Sequence, residues 1–322
     1  MKHFLLKLGL LALIVFVVDK GFLLLRAEAA RHASDPRLSQ ILEGEINKDL
    51  LIFGSSRGQR DVSLPMLEDS LGLDAFNLSY GGAEVEFQTF LLQEVVRHCE
   101  PPQVIIRLLD DDFELGFNEP NQFRYDALYP LVEYEEVREE LYRRGKKNRW
   151  LSKVLVVHQL SKAAFDLRTP PRPNAMVAEY GSETAVAPWN STWEYVYGRP
   201  PYDRQVELAE KKEAFATFQE ICSDNNIQLI YVVPPSYKEM SNGFLARMRE
   251  MAGPDVPILT YDLDDPAWSD SANFRDRYHL NTPGAEKFTR ELLPELRTLI
   301  NRKASSPDPI TDRASAEVPD ME

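Results

Sequence analysis

Five short apolar runs, each closing at a turn signal and leading into a helical pattern, constrain this chain more than any other feature. They lie at residues 49–53, 75–78, 104–109, 227–233 and 257–261. The first ends in Gly-Ser-Ser-Arg-Gly, the second leads to Gly81-Gly82, and the fourth stops at Pro234-Pro235. Runs this short, bounded by turn residues, read as buried strands. The longer patterns at 64–71, 84–97, 204–225, 237–251 and 283–300 read as helices. Strands alternating with helices predict a parallel sheet covered on both faces.

The expected fold class is α/β, a flavodoxin-like doubly wound parallel sheet of about five strands with its site at their carboxyl ends. The rhythm breaks over residues 113–203, read as an inserted helical and aromatic lobe over the sheet edge. Helical patterns at 131–144 and 151–165 are followed there by a Pro-, Trp- and Tyr-rich stretch, 169–202. Trp189, Trp193, Tyr195 and Tyr197 offer ring faces that stack on sugars. The plainer reading is a loop pinned down by buried aromatics. The main domain is placed at 45–302. The tail, 303–322, is poor in apolar residues and rich in Pro, Ser and acids, and reads as disordered.

Residues 1–30 read as an address. An uncharged apolar stretch of eleven runs from Leu8 to Val18, and the run from Phe4 to Leu25 reaches the ~20 residues that cross a bilayer as a helix. Lys7, Asp19 and Lys20 then lie near its ends. A cleaved signal peptide using Ala27-Glu28-Ala29 and a buried core helix are the alternatives. The preferred reading is an uncleaved single-pass signal-anchor. Lys2 and Lys7 stay inside and the body lies outside the cytoplasm.

Composition excludes several classes. A formal charge of −14 leaves no basic footprint for nucleic acid. Cys99 and Cys222 are too few for a disulfide scaffold or a four-cysteine metal site. The five histidines show no i, i+3 or i+4 pairing, and neither GxxxxGK[ST] nor GxGxxG occurs. No cofactor or metal is expected.

The chemistry-bearing candidates converge on one sheet edge. Ser56 ends the first strand, Gly81 and Gly82 follow the second, and Asp276 and His279 lie between the last strand and the last helix. A serine hydroxyl needs a base, and the base an orienting carboxylate. The i, i+3 spacing lets Asp276 meet one imidazole nitrogen while the other faces Ser56. The plainer readings are a helix-capping serine, a surface histidine and a turn-forming aspartate. Residues 54–58 also spell G-x-S-x-G, the α/β-hydrolase elbow. That fold places strands before the elbow and its acid and histidine on separate loops, so the elbow reading is rejected.

These residues resemble the SGNH/GDSL hydrolase superfamily, especially its membrane-anchored bacterial members linked to acylation of envelope polymers. The matching stretches are LIFGSSR, FNLSYGGAE and, most specifically, YDLDDPAWSDSANFRDRYHLNTPGAEKFTREL. The resemblance implies Ser56 as nucleophile, His279 as base and Asp276 as its partner. The oxyanion hole would be lined by the N–H groups of Ser56 and of Gly81 or Gly82. One departure stands out: a Gly-x-Asn donor usual after strand three is replaced by Asp110-Asp111-Asp112. A carboxylate there would repel a developing oxyanion. Asn77 and Asn281 are nearby but unassigned, and the three aspartates are alternatively a cation site or a solvated loop. The implied activity is an esterase or O-acyltransferase, acetyl by default, acting on an extracytoplasmic glycan or acylated envelope polymer. A transferase would draw on a multi-spanning membrane O-acyltransferase as acyl supplier. The alternative is a non-catalytic, membrane-anchored glycan-binding or assembly protein, with Trp189 and Trp193 in the aromatic lobe as binding residues.

Overall fold

The computed structural model describes residues 1–31, 35–111, 114–116, 123–165, 180–182 and 192–304. The body is α/β around five parallel strands: β1 (Leu50–Phe53), β2 (Ala75–Asn77), β3 (Val104–Leu108), β4 (Gln228–Val233) and β5 (Ile258–Thr260). Their order is β2-β1-β3-β4-β5. Leu51 of β1 is flanked by Phe76 of β2 and Ile105 of β3, and Ile105 in turn faces Leu229 of β4. Sequence reading placed all five strands within two residues of these bounds. Near-continuous apolar runs of this kind are what parallel strands buried on both faces require.

Strand periodicity divides the core in two. Leu51, Phe53, Ile105, Tyr231 and Val233 point to one face, beneath α5 (Val85–His98) and α9 (Ala209–Asp224). Leu50, Ile52, Ile106, Ile230 and Val232 point to the other, beneath α4 (Leu64–Leu71) and α11 (Thr282–Ala304). Arg107 is the exception in β3. It is fully buried, pairs with Glu114, donates to Gln88 at 2.8 Å and lies against the rings of Phe215, Phe218 and Tyr231.

Helix α1 (Lys2–Arg31) is long and apolar enough to cross a membrane. Its side chains from Phe4 to Val18 are exposed, which removes the buried-core alternative. From Asp19 onward one side of α1 packs on the body.

Several elements depart from expectation. The helix expected at 204–225 begins only at Ala209, after a separate 3-10 turn at Arg204–Val206. The helix expected at 237–251, α10, spans Asn242–Ala252, because the Ser241 hydroxyl accepts from Phe244 N–H at 3.2 Å and starts it there. The pattern at 131–144 resolves into a 3-10 turn, Tyr129–Leu131, and α7 (Glu135–Arg143), after the short α6 (Tyr125–Leu128). That at 151–165 breaks after α8 (Arg149–Val154). The Asp19 carboxylate accepts from Val156 N–H at 2.9 Å and Val157 N–H at 3.1 Å, which opens a separate 3-10 turn at Val156–His158. Two short helices, α2 (Arg37–Leu42) and α3 (Ser56–Arg60), were not foreseen. The expected tail beyond residue 304 lies outside the described residues.

Candidate active site

Ser56 opens α3 at the carboxyl end of β1. The backbone on either side of it needs two glycines. A Cβ on Gly54, at φ +156°, would sit 3.1 Å from Gly58 Cα and 3.2 Å from the Leu108 carbonyl. One on Gly58 would lie 2.3 Å from Ser79 Oγ. Their bare backbones let β1, α3 and the exit of β2 close on one another. Ser55 caps α3, its hydroxyl accepting from Arg57 N–H at 3.3 Å, so Ser56 and not Ser55 faces the cleft.

The His279 turn is closed by a bridge between Phe274 and Leu280. Asp276 folds it from within, Oδ1 accepting from Tyr278 N–H at 2.9 Å and His279 N–H at 3.0 Å. The same carboxylate meets His279 Nδ1 at 2.8 Å, and His279 Nε2 lies 2.6 Å from Ser56 Oγ. A proton on Nδ1, shared with Asp276, leaves Nε2 as the acceptor for the serine hydroxyl. Burial pushes the Asp276 carboxyl upward, but the bonds from the His279 ring and the Tyr278 N–H outweigh it and hold the group below its ordinary value. Asp276 therefore stays ionised beside the imidazole.

A buried ion pair braces this arrangement from behind, and the sequence reading missed it. Asp61, with no exposure, accepts from Leu280 N–H at 2.9 Å and from Arg57 Nε at 3.4 Å. The Arg57 guanidinium also donates to the carbonyls of Pro234 and, at 2.8 Å, Pro235. One pair thus joins the residue after Ser56, the exit of β4 and the residue after His279. Burial raises the Asp61 carboxyl to about 6 despite the opposing pull of Arg57 and His279. The available signal was an i, i+4 Arg–Asp pair directly after the serine.

The other expected residues fall as follows. Gly81 comes close to the serine: a Cβ there would lie 3.9 Å from Ser56 Cβ. Gly82 has φ +72° and open space around its α-carbon. Asn77 donates to Gly58 O at 2.8 Å and Ser182 Oγ at 3.0 Å and accepts from Ser79 N–H, a structural role. Asn281 caps α11 through Gly284 N–H and donates to Ala272 O at 2.6 Å. Asp110 accepts from the Ser55 hydroxyl, and burial together with the charge of Glu114 raises it to about 6. Asp111, at φ +61°, pairs with Lys238 and, at 3.5 Å, Arg199. Asp112 lies outside the described residues. No cluster of three or more potential metal ligands occurs among the described residues.

Trp193 sits 5.6 Å from the Arg277 guanidinium, between Asp276 and Tyr278 in sequence, so it borders the His279 turn. Trp189 lies outside the described residues. Tyr195 meets Tyr197 at 4.8 Å and Tyr237 at 5.4 Å between ring centres. Tyr237 in turn donates its N–H to Arg277 O at 2.9 Å. Tyr195, Tyr197, Tyr261, Trp268, Asp264 and Asp265 are among the residues lining a cleft of about 350 Å³ on this side.

No family model and no curated protein matches this chain. Among solved structures, the chain is similar to a Streptococcus pneumonia protein provisionally described as a platelet activating factor. The two share 14% identity over 88% of this chain and 99% of the other, with a TM-score of 0.33. At that score the likeness carries no argument about function.

Proposed function

We propose that this protein is a serine-dependent ester hydrolase or O-acyltransferase of the SGNH/GDSL type, acting on an extracytoplasmic glycan or envelope polymer. The observation that carries the reading is the chain of contacts from Ser56 Oγ through His279 to Asp276, at 2.6 and 2.8 Å. The strand order β2-β1-β3-β4-β5 supports a flavodoxin-like sheet. Pairing of β3 with β4, although residues 109–227 separate them, supports an inserted lobe. Helix α1 would hold the body at the membrane, outside the cytoplasm by the placement of Lys2 and Lys7.

In this mechanism Ser56 Oγ attacks the ester carbonyl as His279 Nε2 takes its proton. The resulting imidazolium is stabilised by Asp276. The oxyanion faces the first-turn N–H of Ser56, since helix first turns lack intrahelical acceptors, and the nearby Gly81 backbone. Collapse expels the alcohol, which takes the proton back from His279 and leaves an acyl-serine. Water or a glycan hydroxyl then gives its proton to His279 and attacks the acyl carbonyl; collapse breaks the bond to Ser56 Oγ, which takes that proton back, and releases the carboxylic acid or the acylated glycan. Acetyl is the acyl group that the resemblance implies. In the transferase case a multi-spanning membrane acyltransferase would supply it. The cleft lined by Tyr195 and the exposed Tyr197 favours a carbohydrate acceptor.

The test is labelling of the full-length protein with a fluorophosphonate, beside Ser56→Ala and His279→Ala. Labelling of the wild type alone, with release of acetate from an acetylated glycan, is the expected result. An unlabelled wild type that still binds glycan would instead favour the non-catalytic assembly role, for which the run Asp110-Asp111-Asp112 is the sequence argument.

A further inference from the structure

We infer that residues 141–165 form a membrane-surface element, which seats the body on the headgroups of an anionic lipid leaflet beside the exit of α1. The inference rests on the reading of α1 as a membrane span.

Depth is the first argument. The apolar part of α1 that the body leaves uncovered, Phe4 to Val18, is fifteen residues. At 1.5 Å per residue it is about 22 Å long, against a hydrocarbon core of about 30 Å. Tilting shortens its reach further. The missing depth, about five residues of helix, therefore lies beyond Asp19. On its uncovered side α1 stays apolar there, with Leu24 78% exposed. On its covered side Asp19 is hydrogen-bonded to the backbone of Val156 and Val157, and Phe22 meets Phe165 at 6.1 Å. Those body residues consequently sit at the depth where the bilayer surface falls.

Chemistry is the second argument. Trp150, Leu151 and Val154 share one side of α8 at i, i+1, i+4, and Trp150 and Val154 are 80% and 68% exposed. Val157 and Phe165 are exposed as well. An uncovered tryptophan with aliphatic neighbours suits the boundary between headgroup and acyl chain. Charge is the third, independent argument. In a chain of net −14, residues 141–165 contain seven basic side chains and no acidic one. Arg143 and Arg144 pair with Glu140 and Arg149 with Glu139, while Lys146 and Lys153 are exposed around Trp150. A basic segment with exposed apolar side chains is drawn to anionic lipid.

The experiment reconstitutes the full-length protein in vesicles of phosphatidylcholine with phosphatidylglycerol. Flotation first reports on the span, and failure to float with the vesicles would overturn the span and this inference together. Tryptophan emission is then compared between wild type and Trp150→Phe, with phosphatidylcholine brominated near the headgroup end of its chains. The emission lost in Trp150→Phe, which is the Trp150 component, should be mostly quenched by brominated lipid and protected from aqueous acrylamide. A nitroxide on Val154→Cys should report the same depth. Replacing phosphatidylglycerol by neutral lipid should weaken both signals. A floating protein whose Trp150 is quenched by acrylamide and not by brominated lipid would overturn the surface element alone. Protection from both quenchers would assign the patch to a second copy of the chain and overturn it equally.

Discussion

Asp276 has two roles in the same few ångströms. It folds its turn through two backbone N–H groups and holds His279 in the tautomer that leaves Nε2 free to accept. Asp276→Asn preserves the turn-forming oxygen but offers the imidazole an amide donor or a weaker acceptor. Ester hydrolysis should fall by about 10³–10⁴ in kcat with KM little changed. A loss confined to KM would place Asp276 in substrate binding. Asp61 acts one step further back, on Leu280 N–H. Asp61→Ala leaves that N–H without its acceptor and the Arg57 guanidinium without its buried counter-charge, although its bonds to the Pro234 and Pro235 carbonyls remain; breaking such pairs elsewhere costs about 3–5 kcal/mol. Asp61→Asn keeps an acceptor for Leu280, so it should fold and retain most of the kcat that Asp61→Ala loses. Equal activity in the two variants, both folded, would show that the brace does not position His279.

At the scale of elements, the site depends on how closely β1, α3 and the exit of β2 approach. Gly58→Ala puts a methyl group against Ser79 Oγ and within 3.1 Å of Phe53 O. Overpacking of this kind costs about 1–3 kcal/mol, and here it also displaces α3 and with it Ser56. The variant should melt earlier and label more slowly with a fluorophosphonate. Ser79→Gly in the same chain, by making room for the methyl group, should recover part of both. A Gly58→Ala protein with unchanged melting would mean that the β2 exit yields freely.

For the whole molecule, buried carboxyls set an unusual response to pH. Asp61 and Asp110 have values raised to about 6 in the folded protein, above the ordinary 3.8. At these two groups the native state holds more protons than the unfolded chain between about pH 4 and 6, so their contribution to stability falls as pH rises across that window. For Asp61, which is fully buried, the loss is on the order of 3 kcal/mol. Asp276, held below its ordinary value, contributes in the opposite sense at more acidic pH. Denaturant titrations from pH 4 to 7 should show the decline, and Asp61→Asn should flatten it. A wild type whose stability rises steadily over that range would contradict it.

The strand rhythm, the apolar N-terminal helix and the placing of Ser56, Gly81, Asp276 and His279 on one sheet edge were all legible in the sequence. Strand burial and helix length are written in local hydrophobic pattern, and i, i+3 spacing in a turn is itself local. Contacts between residues far apart in the chain were not legible. No local pattern says that Asp61 holds Leu280, that Asp110 turns to Ser55, or that Asp19 stops one helix by binding the amides of Val156 and Val157. Polar groups buried by folding take whichever partner the packing brings near, because leaving them unpaired costs more than almost any local preference can offset. The sequence by itself thus determined which segments become strands and which side chains can do chemistry. Only the tertiary structure decided how buried charges brace that chemistry and which part of the body packs against the N-terminal helix.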